Sequence, residues 1–77
     1  MTGVHLEKRS FSLAGHRTSV ALEPAFWHAL EQLAAARGIT LVRLLQTVDE
    51  ARLETEVPLT SALRVHALEA AVATRAD

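Results

Sequence analysis

The sequence predicts a small, mainly α fold with an N-terminal β-ribbon, two helices close behind it and a third helix at the C-terminal end, working as a homodimer. Three observations predict it. Residues 16–22 alternate with period two. Three helical segments follow residue 23, each bounded by residues that start or stop helices. The chain has 77 residues and no cysteine. One small core must therefore hold without disulfides or thiolate metal sites. Cores of this size often lean on association. Apolar residues make up 49% of the chain, enough for a core and outside the composition of disordered chains.

The strand comes first. In His16-Arg17-Thr18-Ser19-Val20-Ala21-Leu22 one face carries Thr18, Val20 and Leu22 and the other Arg17, Ser19 and Ala21. Period two with β-branched residues reads as a half-buried strand. Upstream, Phe11 and Leu13 alternate with Ser10, Ser12 and Ala14, out of phase with the first set. Gly15 sits at the phase change, where a bulge or a turn is expected. Residues 9–14 are either an extension of the same strand or a separate short one. Residues 1–8 read as a flexible arm.

The helices follow. Glu23-Pro24 opens the first, because proline suits the first helical position. Phe26, Trp27, Leu30, Leu33 and Ala34 recur at helical spacing. Arg37-Gly38 ends it. Thr40 caps a second helix, with Leu41, Leu44, Leu45 and Val48 as its stripe. Val57-Pro58 breaks that helix, and Thr60 or Ser61 caps a third over 59–74. The third helix is apolar on more than one face, so it reads as covered from two sides, with another chain as the second cover.

A lone half-apolar strand cannot satisfy its ladder. Pairing with its own copy about a two-fold axis satisfies the backbone and merges two cores. The expected shared core is Val20, Leu22, Phe26, Trp27, Leu30, Leu44, Leu45 and Val48.

Charge is the next guide. The net charge is −1, but it is unevenly spread. Residues 1–22 hold Lys8, Arg9 and Arg17 against Glu7, while 23–58 are net acidic. A basic patch is an argument about partners.

The order Arg17-Thr18-Ser19-Val20-Ala21-Leu22-Glu23-Pro24, then Leu33-Ala34-Ala35-Ala36-Arg37-Gly38-Ile39-Thr40, resembles the ribbon-helix-helix superfamily. Narrower features are His16-Arg17-Thr18-Ser19, Phe26-Trp27 and Leu59-Thr60-Ser61-Ala62-Leu63-Arg64-Val65. These are similar to a family of short bacterial ribbon-helix-helix proteins, over about residues 9–70. The resemblance implies a homodimeric DNA-binding transcriptional regulator whose two-stranded antiparallel ribbon enters the major groove at an inverted repeat. By phase, Arg17, Ser19 and Ala21 then meet base edges. Arginine can bond guanine bidentately and serine can donate or accept, whereas Ala21 offers only a methyl contact. The resemblance also implies that backbone amides at Thr40 and Leu41 hold a phosphate at the helix N-terminus. Arg43 in that first turn, and Lys8 and Arg9 on the arm, are further phosphate contacts.

Competing chemistry is thin. Trp27 at helical spacing reads as core rather than as a base-stacking platform. His5, His16, His28 and His66 lack close ligand spacing, so neither a metal nor a cofactor is expected. No phosphate loop, nucleophile elbow or paired carboxylates argue for an enzyme. No stretch is long and apolar enough for a membrane span or a signal peptide, so a cytoplasmic address is expected. The rival reading is an interaction scaffold, including an antitoxin-type protein. Its 59–74 helix would dock a partner or another dimer, without sequence-specific DNA binding.

Overall fold

The computed structural model describes residues 5–75, with strands β1 (Glu7–Leu13) and β2 (His16–Leu22) followed by helices α1 (Pro24–Arg37), α2 (Leu41–Arg52) and α3 (Leu59–Arg75). Most of the expected arm lies outside the described residues or just before β1. Its last two residues, Glu7 and Lys8, already belong to the strand.

The structure resolves the alternative over 9–14: β1 is a separate strand. It pairs antiparallel with β2, from Glu7 opposite Leu22 to Leu13 opposite His16. The connection is two residues long, and both Ala14 (φ 52°) and Gly15 (φ 81°) have positive φ. This is the type I′ pattern, whose twist matches that of the flanking strands. The phase change in the sequence is therefore a hairpin turn. This also corrects the premise that β2 has no partner in its own chain. Among the described residues the sheet has these two strands alone, so the second edge of β2 is unpaired.

Proline opens α1, and the Glu23 carbonyl accepts from the Phe26 N–H (2.9 Å) and the Trp27 N–H (3.2 Å). At the far end the Gly38 N–H donates to the Ala35 carbonyl and the Ile39 N–H to the Ala34 carbonyl, each at 3.0 Å. With Gly38 at φ 69°, this is a Schellman cap. Thr40 caps α2 as expected: its Oγ1 accepts from the Arg43 N–H at 3.1 Å. Glu56 at φ 59° turns the chain out of α2. Helix α3 starts earlier than a Thr60 or Ser61 cap allows. The Pro58 carbonyl takes its first bond, from the Ala62 N–H at 3.0 Å, so both residues lie in the first turn.

Sheet and helices enclose one core: Leu13, Val20, Leu22, Trp27, Leu30, Ala34, Leu44, Leu45, Val48, Leu63 and Ala67. Seven of the eight residues expected at a shared dimer core are in this set, and Phe26 packs half-buried against it. Their burial needs no second copy. Leu13 from β1 and Leu63 and Ala67 from α3 supply the cover that was expected from a partner.

Candidate nucleic-acid interface

The parity of β2 decides what its outer face presents. Val20 and Leu22 are buried and Thr18 is half-buried, while Arg17 and Ser19 are exposed and Ala21 is half-exposed. In β1, Leu13 is buried and Phe11 half-buried on the inner side, and Lys8, Ser10 and Ser12 are exposed. The register sets Lys8 opposite Ala21, Ser10 opposite Ser19 and Ser12 opposite Arg17. Directly opposed residues share a face. The outer face of the hairpin is therefore a serine patch with a cation toward each end and no carboxylate. The Ser10 and Ser19 hydroxyls lie 3.3 Å apart at its centre. At about 3.3 Å per residue, Lys8 and Arg17 sit ~13 Å apart along the ribbon.

Ion pairing sorts the described cations. Arg52 bonds Asp49 at 2.7 Å and Arg64 bonds Glu23 at 2.9 Å. Arg37 lies 3.4 Å from His66. Lys8, Arg17 and the Arg43 side chain have no ion pair or hydrogen-bond partner among the described residues. These are three of the cations the sequence singled out.

Arg9 behaves differently. Expected on a phosphate-gripping arm, it lies on the inner side of β1. Its Nε donates to Glu7 at 2.6 Å and its Nη1 to Glu31 at 2.9 Å. The guanidinium sits 4.6 Å over the Trp27 ring. It is thus neutralised and held within its own chain. Trp27 is core, 1% exposed, with its Nε1–H donating to the Glu7 carbonyl at 2.7 Å. It fastens β1 to α1 and offers no face to a base. Glu31 of α1 is part of the same clamp.

At the start of α2, Thr40 and Arg43 are exposed and Leu41 is half-buried. The Arg43 amide is taken by Thr40 Oγ1. The amides of Leu41 and Val42, ahead of it in the first turn, have no intrahelical acceptor. A second feature borders the ribbon. A cleft of about 650 Å³ runs along the unpaired edge of β2, with His16, Thr18 and Val20 on one side and Asp49, Leu53 and Leu59 on the other.

Two carboxylate and imidazole environments stand out away from the ribbon. A hydrogen bond from its own backbone amide, and then Arg64, hold the Glu23 carboxyl below the usual range. Burial, then Arg37, push His66 down. No described group of three His, Cys, Asp or Glu residues is placed to hold a metal. No described helix is long and apolar enough to cross a membrane.

Ser10 and Ser12 escaped the sequence reading as site residues. The signal was present in their alternation with Phe11 and Leu13. It became usable only once the turn at Ala14-Gly15 fixed which β2 residues they oppose.

A model of the ribbon-helix-helix domain family matches residues 6–71, and the chain belongs to that family. Domains of this family are non-catalytic DNA-binding modules. Among solved structures, the chain is similar to an uncharacterized protein from Bordetella pertussis Tohama I. The identity is 37% and the TM-score 0.77, covering 87% of this chain and 56% of that one. The chain thus spans little more than half the length of that protein. None of the curated proteins matches it.

Proposed function

We propose that the chain is a homodimeric DNA-binding transcriptional regulator that reads an inverted repeat through the outer face of its ribbon. The observation that carries this reading is the hairpin face itself: Arg17 and Lys8 without ion pairs, serines between them and no carboxylate.

Dimerisation belongs to the proposal, in revised form. The open edge of β2 presents unpaired N–H and C=O groups to the adjoining cleft. Such edges are covered or paired in native proteins. The same edge of a second copy, antiparallel about a two-fold axis, satisfies both. The result is a four-stranded sheet about 14 Å across its backbones, at ~4.8 Å per strand. A major groove about 12 Å wide takes the central pair, β2 and its copy. Arg17, Ser19 and Ala21 then meet base edges, with two copies of each near the axis. The flanking β1 strands lie over the groove walls, where Lys8, Ser10 and Ser12 meet phosphates. The amides of Thr40 and Leu41, and Arg43, supply further phosphate contacts at the α2 N-terminus. Arg9 is dropped from the contacting set because its charge is already paired.

The test is selection of bound fragments from random duplex DNA with the full chain. An enriched inverted repeat, bound with a steep loss of affinity as salt rises, supports the reading. No enrichment at low salt would leave the scaffold reading ahead.

A further inference from the structure

Helix α3 is apolar on two opposite sides. Leu63 and Ala67 are buried in the core, whereas Val65, Leu68 and Val72 are 51%, 61% and 58% exposed. At ~100° per residue these three fall within about 60° of one another, on the side away from Leu63. A stripe of this kind on a helix already docked by its other face is an unpartnered surface.

The spacing of the stripe says what covers it. Positions 65, 68 and 72 step by three and then four, the a, d, a run of a heptad. Valine at a with leucine at d is the combination that favours two parallel strands. The flanking charges agree. Arg64 is then at g and Glu69 at e. In a parallel pair, g of one helix meets e five residues later on the other, so Arg64 faces Glu69 of a second copy. An antiparallel pair would instead set g beside g and e beside e, and Arg64 would no longer meet Glu69 of the second copy. Glu69 makes no salt bridge in its own chain among the described residues. Arg64 uses Nε and Nη2 on Glu23 and leaves Nη1 free of hydrogen bonds.

We infer that α3 pairs in parallel with α3 of a second copy along Val65, Leu68 and Val72. The seam is separate from the β2 edge, so it joins one ribbon-bearing unit to another. It is also independent of DNA binding. The helix is already held by Leu63, Ala67 and the Arg64–Glu23 pair, so association need not order it first. The seam is about 10 Å long at ~1.5 Å per residue, which makes the association weak and concentration-dependent.

The absence of cysteine makes cross-linking clean. In a parallel pair, d faces d, so full-length Leu68→Cys should form a disulfide-linked dimer under mild oxidation. Glu50→Cys, exposed on α2, should not. In sedimentation between about 10 and 100 μM, the weak range expected of a short seam, the average mass of wild type should climb with concentration above that of Leu68→Gln. Circular dichroism should show both equally helical. The difference in mass is expected whether the lighter species is a monomer or a dimer joined at β2. Equal masses together with no Leu68→Cys disulfide overturn the inference. That is also the outcome if a different protein covers this face. A disulfide between Val65→Cys and Leu68→Cys chains, without one between two Leu68→Cys chains, means antiparallel pairing and overturns it too.

Discussion

At the scale of single residues, Arg9 and Trp27 show how neighbours redirect a side chain. Arg9 follows Lys8 in sequence, yet strand parity sends the two to opposite faces. Lys8 is left bare, and Arg9 is bracketed by Glu7 and Glu31 over the Trp27 ring. Trp27→Phe keeps most of the packing and removes the hydrogen bond to the Glu7 carbonyl. It should lower stability by about 1–2 kcal/mol in denaturant unfolding, since a net hydrogen bond contributes ~0.5–1.5 kcal/mol. His66 makes a pH-dependent prediction. Burial and Arg37 lower its pKa in the folded state, so the unfolded chain binds its proton more readily. Its contribution is therefore intact above the ordinary histidine pKa of about 6.5 and falls as pH drops below that value. Wild type should lose stability between pH 7 and 5, and His66→Gln should flatten that limb of the melting-temperature profile. The fate of Trp27 was legible from its spacing with Leu30 and Ala34. The fate of Arg9 was not, because the pairing depends on Glu31, far away in sequence and brought close only by β1 docking on α1.

At the scale of elements, the start and stop residues of α1 and α2 acted locally, which is why they could be read directly. Pro24, Gly38 and Thr40 each satisfy or remove a backbone group within a few residues of themselves. The hairpin was harder, because its turn uses Ala14 at positive φ, a conformation that costs an L-residue roughly 1–2 kcal/mol. Asn-Gly would have announced the turn; Ala-Gly does not. Ala14→Asn should therefore stabilise the chain by about 1 kcal/mol, read as a higher denaturant midpoint with unchanged slope. The third helix was foreseen as covered from two sides, and one of those covers is the chain's own core. Leu63 is fully buried. Leu63→Ala should cost about 2–5 kcal/mol and be among the most damaging single truncations outside α1 and α2. An unchanged midpoint would mean that α3 is a passive appendage.

At the scale of the whole molecule, the fold and the site were legible to different degrees. Strand parity placed Arg17 and Ser19 outward from sequence alone, because alternation follows from backbone geometry. The contribution of β1 was not legible, and it supplies both a strand partner for β2 and Leu13 for the core. What remains for association is narrower: an open sheet edge and an apolar stripe on α3. The division of charge follows the same logic. Arg9 ties β1 to α1 and Arg64 ties α3 to the start of α1, Arg52 is paired within α2, and the side chains of Lys8, Arg17 and Arg43 have no such pair among the described residues.

The central claim is that the outer face of the ribbon contacts DNA, and titrations of selected duplex over a range of salt test it most directly. Arg17→Ala should lose specific affinity by about 1–3 kcal/mol for each bidentate bond to a base that it removes. Lys8→Ala should instead weaken binding evenly across sequences and reduce the salt slope by about one unit for each phosphate it no longer neutralises. Arg17→Ala and Lys8→Ala proteins that stay folded, yet bind the selected duplex with the affinity and salt slope of wild type, would contradict the account.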